Sequence, residues 1–373
     1  MKIAILTLPL HINFGGILQC YALQTVLEHM GHNVTVLNPD LEKVDLRTRV
    51  EILSKRLIKT LLRKESKFYG WKTDDEVTRK HTQSFIKKYI HIGNVTDLSL
   101  MREDDFDAIV VGSDQIWRPL YYKPIANGYL KFAKDWTTIR RVAYAASFGT
   151  DVWEYSSQET EECASLLNLF DTVSVREYSG KYLCKKYLGK DAVQVLDPTL
   201  LLSKEDYLNL VGKSHVVRRN GGLCYYFLDI TPEKLKLTKE IAEKRKLVPY
   251  SGNNPNSEKY YLHFEERVQL PVEQWLASMM DASLVVTDSF HGCVFSILFN
   301  KPFLALGNVE RGLDRFNSLL SLFGLERNLI HDYNREFPMW NVCLDWKKIN
   351  ERLEAFKKTS LHFLDSSLLQ VRK

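Results

Sequence analysis

The sequence predicts an α/β protein of two Rossmann-like parallel-sheet halves facing a cleft, and three observations carry that prediction. Short apolar runs recur along the chain, each ending in a polar or glycine-containing cluster, as strands buried on both faces do. Longer segments with apolar residues at helical spacing separate them. The pattern restarts after Arg218-Arg219-Asn220-Gly221-Gly222, so the strands fall into two blocks. Length agrees, since 373 residues at roughly 150 per domain is about two to three domains' worth.

The first forty residues read as one βαβ unit. Ile3 to Leu8 is a strand, Asn13-Phe14-Gly15-Gly16 a turn, and Leu23, Val26, Leu27 and Met30 the buried stripe of a helix that Gly31 ends. Val34 to Leu37 supplies the next strand. Residues 42–90 read as a basic helical insertion, with Ile52, Leu53, Leu57, Ile58, Leu61 and Leu62 set among Lys and Arg from Lys43 to Lys67. Such a run is either a solvated helical face packed by its leucines or a weak contact with an anionic membrane surface. Strands then return at Ala108–Val111, Val142–Ala146, Thr172–Val175 and Val193–Leu196. The second block holds strand Leu223–Leu228, a helix opening near Pro232, strand Leu247–Tyr250 and helix Val272–Asp281. It closes with strand Leu284–Thr287, helix Val294–Leu298 and strand Phe303–Leu306. The expected division is 1–205, joined by the C-terminal helix 345–373, and 206–344.

Composition excludes several classes. Apolar residues are 45% and charged residues 26%, as in globular proteins, and a net charge of +5 is too small for a dedicated nucleic-acid binder. Six cysteines without a C-x-x-C pair suggest neither a zinc knuckle nor a disulfide framework, and read as free thiols of a reducing cytoplasm. No run of apolar residues is long enough to span a membrane, and the apolar start reads as a first strand rather than a signal peptide. No His, Cys or carboxylate cluster has metal-ligand spacing.

In open parallel sheets, ligands bind outside the carboxyl ends of the strands. That rule selects Asn13 to Gln19, Ser113 to Trp117, Arg176-Glu177, Asp229, and Asp288-Ser289-Phe290-His291-Gly292. The Asn13-Phe14-Gly15-Gly16 turn opens a helix whose amides suit an anion, though a tight turn also needs glycine for steric reasons. Arg176 is either an anion clamp or half of a structural pair with Glu177. Asp288, Ser289 and His291 on one turn favour catalysis or anion binding over packing, and lie too close together for an extended Ser-His-Asp relay.

At these residues the chain resembles the polysaccharide pyruvyl transferases. The resemblance rests on Asn13-Phe14-Gly15-Gly16, Gly112-Ser113-Asp114-Gln115-Ile116-Trp117, Ser174-Val175-Arg176-Glu177, Leu196-Asp197-Pro198-Thr199 and Thr287-Asp288-Ser289-Phe290-His291-Gly292, in that order. Phe295-Ser296, Lys301-Pro302-Phe303 and Arg315-Phe316 follow suitably. It implies a fold like the B-type glycosyltransferases, phosphoenolpyruvate as co-substrate with no further cofactor, and a saccharide acceptor, free or lipid-linked. The site it implies puts phosphoenolpyruvate on Arg176 and the Phe290-His291 turn, with Asn13, Gly15, Gly16, Gln19, Ser113, Ser289 and Arg315 as further substrate-binding residues. Gly16 stands where many members carry Asp, so Asp114 becomes the candidate for handling an acceptor hydroxyl.

The chemistry needs cations for two anionic groups, a general acid for the methylene carbon and a base for the attacking hydroxyl. His291 is accordingly expected as acid or phosphate partner, Asp114 as base and Arg176 as clamp, with Asp288 and Ser289 orienting His291. The same architecture serves nucleotide-sugar glycosyltransferases, and the aromatic residues also suit a non-catalytic saccharide-binding protein. A cytoplasmic enzyme of surface polysaccharide biosynthesis, peripheral at the inner membrane face if its acceptor is lipid-linked, is the expectation.

Overall fold

Strands whose residues are apolar without alternation must be covered on both faces, and two fully parallel sheets result. The computed structural model describes residues 1–38, 76–95, 97–257, 259, 262–307, 312–331 and 344–369. The first sheet contains β1 (Lys2–Leu6), β2 (Asn33–Leu37), β3 (Ala108–Val111), β4 (Arg140–Ala146), β5 (Thr172–Val175) and β6 (Val193–Gln194), in the order β2-β1-β3-β4-β5-β6. The second contains β7 (Leu223–Tyr226), β8 (Pro249–Ser251), β9 (Leu284–Thr287), β10 (Phe303–Leu306) and β11 (Leu329–Ile330), in the order β11-β10-β9-β7-β8. The basic stretch at 43–67 lies outside the described residues. So does Cys343, while the other five cysteines are buried and unbridged. Burial pushes the thiols of Cys163, Cys184 and Cys224 up to about 12.

Ten α-helices are described: α1 (Phe14–His29), α2 (Lys80–Tyr89), α3 (Ser157–Leu167), α4 (Tyr178–Leu188), α5 (Lys204–Gly212), α6 (Pro232–Arg245), α7 (Val272–Asp281), α8 (Phe290–Leu298), α9 (Asp314–Phe323) and α10 (Trp346–Leu369). Their starts follow capping chemistry. Ser156 with Glu159 and Ser203 with Asp206 form reciprocal capping boxes, and Thr231 caps a helix whose first residue is Pro232. Gly31, beyond the end of α1, takes φ +86°, a conformation that a side chain disfavours. Helix α8 opens at Phe290 rather than at Val294, because Ser289 supplies its cap, accepting from Gly292 N at 3.4 Å. His291 therefore sits in the first helical turn.

Alternation along the strands divides the core. Ile3, Ile5, Val110 and Tyr144 face α1 and α10, whereas Leu6, Ile109, Val111 and Val175 face α3 and α4. In the second sheet, Leu223, Val286 and Leu304 pack on α6, and Cys224, Val285 and Ala305 on α7 and α8. One apolar cluster runs without a break from the α1 side of the first sheet to the α8 side of the second. Phe14 is its link. From the first turn of α1 its ring stacks on Trp275 of α7 at 5.4 Å. Burial of one such ring contributes about 2 kcal/mol. The α4 and α9 helices meet through Tyr178 N donating to Ser318 Oγ at 2.8 Å. The last helix crosses back to the first sheet, where Ser360 Oγ accepts from Leu196 N at 3.0 Å and Ser367 O from Arg140 Nη1 at 3.1 Å. Among the described residues no helix is long and apolar enough to cross a membrane.

Candidate active site

The two sheets point the carboxyl ends of their strands at one cleft. A cavity of about 260 Å³ lies there, lined from one half by Leu8, Pro9, His11, Asn13, Gly16, Asp114, Gln115 and Tyr121, and from the other by Leu228, Ser289, Phe290, His291 and Arg315. A second cavity of about 290 Å³, which shares Asn13 and Leu228 with the first, adjoins it at the ends of β7 and β8.

The first turn of α1 reaches across to the other half beside this cavity. Asn13 caps the helix, its Oδ1 accepting from Gly16 N at 3.2 Å. Phe14 is driven into the second half, and Gly15 lies against His291. A methyl group at Gly15 would stand 2.0 Å from His291 Nδ1, so only a residue without a side chain allows this approach. A Cβ at Gly16 would stand 3.6 Å from Asp114 Oδ2. The Asp114 carboxylate thus occupies the space beside the glycine.

Asp114 is held there by its own backbone. Its φ is +55°, a left-handed conformation that aspartate tolerates, and its carbonyl accepts from Ile116 N and Ser147 N. Gln19 and Ser113 support this turn from below and are fully buried. Ser113 N donates to Gln19 Oε1 at 3.0 Å, Gln19 Nε2 donates to Thr7 Oγ1 at 2.9 Å, and Ser113 Oγ donates to Ala145 O at 3.0 Å. The structure therefore gives Gln19 and Ser113 a supporting place beneath the cavity instead of the substrate contact expected of them, because their polar atoms are already spent.

Behind Asp114 lies a buried ion network. Arg176, 4% exposed, donates Nε to Glu177 Oε1 at 3.0 Å and Nη1 to Asp197 Oδ2 at 2.8 Å. Its Nη2 is 3.6 Å from Asp114 Oδ1 and has no hydrogen-bond partner. Across the domain junction its guanidinium lies 4.3 Å from the centroid of the Phe290 ring. His291 Nε2 stands 3.5 Å from Asp197 Oδ2, is buried, and also lacks a hydrogen-bond partner. Burial opposes charge on Asp197, but His291, Arg176 and Thr199 outweigh it and hold the carboxyl well below the usual carboxylate range. Burial likewise opposes the Arg176 charge, and Glu177, Asp197 and Asp114 overcome it and raise the guanidinium further. Burial and the repulsion of Arg176 push Arg315 down to about 10, leaving it charged at neutral pH.

Asp288 does not orient His291. Its Oδ2 pairs with Lys234 Nζ at 2.6 Å, and its oxygens accept from the backbone N–H groups of Leu228 and Asp229 at 2.6 and 3.1 Å. Ser289, as helix cap, is turned to Gly292. Asp197 faces the imidazole instead, although the sequence reading gave it no role beyond a motif. The available signal was an acid directly after an apolar strand. Tyr121, 40% exposed at the cavity edge, and His11 also line the site, although neither directly abuts a strand end.

The family model for polysaccharide pyruvyl transferase matches residues 13–310. The chain belongs to that family. The match spans the α1 turn, Asp114, Arg176, Asp197 and His291, in agreement with the resemblance seen in the sequence. No curated protein sequence matches the chain. Among solved structures, the kitacinnamycin glycotransferase aligns with a TM-score of 0.52 at 10% identity, covering 98% of each chain. UDP-GlcNAc 2-epimerase from Neisseria meningitidis aligns at 0.48 with 11% identity over 99% of this chain and 100% of its own. UGT89C1 from Arabidopsis thaliana gives 0.47 and 11%, covering 99% of both. The chain shares the two-domain, parallel-sheet fold of that glycotransferase, as the expected B-type architecture requires. Likeness at this identity concerns fold alone.

Proposed function

We propose that the protein transfers the pyruvyl group of phosphoenolpyruvate to two hydroxyls of a saccharide, forming a pyruvate ketal and releasing inorganic phosphate. One observation supports this reading above the others. Arg176 Nη2 and His291 Nε2 are buried and lack a hydrogen-bond partner, beside a cavity lined by His291 and Arg315, and unmet buried donors are costly unless a ligand meets them. A small dianion or trianion answers that need, and the positive end of the α1 dipole lies at the same cavity.

The chemistry distributes itself over the same residues. Arg315 and Arg176 neutralise the carboxylate and phosphate. His291 delivers a proton to the methylene carbon, which becomes the methyl group and leaves C2 electrophilic. Asp114 takes the proton of the first acceptor hydroxyl as its oxygen bonds to C2. The second hydroxyl then bonds to C2, the C2–O bond to phosphate breaks, and that hydroxyl's proton leaves with the phosphate. Asn13, between the two cavities, orients the acceptor against the donor.

The test is phosphoenolpyruvate-dependent phosphate release against a panel of galactose-, glucose- and mannose-containing acceptors, free and lipid-linked. Release with one acceptor class, paired with a ketal methyl signal in the product, supports the reading. Thermal stabilisation by UDP- or GDP-sugars and none by phosphoenolpyruvate would replace it with glycosyl transfer.

A further inference from the structure

Asp197 carries no role in the reaction as drawn, yet it is the group on which the two domains' donors converge. Its side chain is fully buried. Oδ1 accepts from Thr199 N at 3.0 Å and from Thr199 Oγ1 at 2.7 Å, which fixes the rotation of the carboxylate. Oδ2 is thereby aimed away from Thr199, and it alone meets Arg176 Nη1 at 2.8 Å and His291 Nε2 at 3.5 Å. Arg176 follows β5 of the first sheet, whereas His291 belongs to α8 of the second domain. What relates them is this oxygen, together with the Phe290 ring beneath the guanidinium.

We propose that Asp197 is a positioning residue, which sets the separation of Arg176 and His291 so that both buried donors reach one anionic ligand. The proposal rests on the reading of the cavity as a phosphoenolpyruvate site. The groups facing His291 and Arg176 are Asp197 and Glu177 from the first domain's strand ends, Asp114 from the turn after β3, and Arg315 from α9. Three carboxylates among two arginines leave no large positive excess. Simple charge arithmetic therefore says that neutralising Asp197 should improve anion binding, since one repulsive charge is removed. Positioning says the opposite. A carboxylate that repels the ligand yet organises its donors is worth keeping only if geometry outweighs charge, and a displacement of about 1 Å at a reacting site can cost on the order of 100-fold.

The sign of that effect is the test. Calorimetric titration of the full chain with phosphoenolpyruvate, and separately with inorganic phosphate, compares wild type, Asp197→Asn, Thr199→Val, His291→Gln and the Asp197→Asn/His291→Gln double variant. Asp197→Asn keeps shape and loses charge, and phosphoenolpyruvate should bind about tenfold more weakly. Thr199→Val keeps the charge and the backbone bond but removes the hydroxyl bond that helps fix the carboxylate, and should weaken binding about threefold. The double variant should lose at least about fivefold less than the product of the single losses, because one residue acts through the other. Affinity in Asp197→Asn that equals or exceeds wild type overturns the proposal, as does full multiplicativity in the double variant. If Asp197→Asn does not fold, Thr199→Val decides, and unchanged affinity there overturns it. A wild-type chain that binds neither anion removes the phosphoenolpyruvate reading itself, and the role of Asp197 with it. Wild-type binding with an unaltered Asp197→Asn removes this role alone.

Discussion

Arg176 with Asp197 and Lys234 with Asp288 are buried ion pairs at comparable places, each at strand ends of its own sheet, and they are completed differently. Lys234 Nζ donates to Asp288 Oδ2 at 2.6 Å and to Asp229 O at 2.8 Å, while both Asp288 oxygens also take backbone N–H groups. Each polar side-chain atom of that pair has at least one hydrogen-bond partner. Around Arg176, by contrast, Nη2, the neighbouring Glu177 Oε2 and His291 Nε2 all lack hydrogen-bond partners. A buried pair that saturates itself can hold a loop against a strand but has nothing to offer a ligand. One that keeps donors in reserve carries a cost in the empty protein that a bound anion relieves. On the proposed reading the first network is the binding device and the second a brace, even though Asp288 stands only three residues from His291.

Variants that act on one network and spare the other sharpen this contrast. The largest effect belongs to His291→Gln, for which the proposed ketal formation should fall by about 100-fold to 10,000-fold while thermal unfolding stays within a few degrees of wild type. Steady-state phosphate release beside a melting curve reads both, and near-normal turnover would remove His291 from the chemistry. Gly15→Ala comes next, because its methyl group would stand 2.0 Å from His291 Nδ1 and must move the ring or the helix. Turnover should drop by on the order of 100-fold for a displacement of about 1 Å. An alanine variant with wild-type turnover would show that the imidazole has no fixed place.

Asp288→Asn should reverse the pattern. Breaking a buried pair costs about 3 kcal/mol, so urea unfolding should shift strongly while turnover per folded molecule stays within about twofold. Loss of turnover without loss of stability would return Asp288 to the site. The smallest effect concerns acid. Asp197 is held below its unfolded value, which lies near 4 for an aspartate, so its stabilising contribution is fully present above that value. It is lost as pH falls through the range between the unfolded and folded values. Melting temperatures from pH 7 to pH 3 should therefore fall less steeply for Asp197→Asn than for wild type. Parallel acid limbs would contradict the charge assigned to Asp197 in the folded protein.

Much of this molecule is legible before folding is considered, and for a local reason. Ala108–Val111, Thr172–Val175, Leu284–Thr287 and Phe303–Leu306 are strands because each is a short apolar run closed by a polar cluster, and those signals lie next to one another in the chain. Helices α3, α4 and α9 emerge only in the structure. The start of α8 was misjudged because Ser289 reads equally as a reactive hydroxyl and as a cap, and the cap prevails once Gly292 N is within reach.

The sequence by itself determined that there are two parallel sheets, that their strand ends converge on polar residues, and that Asn13, Asp114, Arg176 and His291 are among them. Strand pattern, turn glycine and motif order need only neighbouring residues to be read. What the tertiary structure decided is which of those residues are already satisfied. Gln19, Ser113 and Asp288 are consumed by partners distant in the chain, and Asp197 acquires Arg176 and His291 from separate domains. Hydrogen-bond saturation is a property of packing, since a donor's need is met or left open by whatever the fold brings within about 3 Å of it, and no local pattern records that distance.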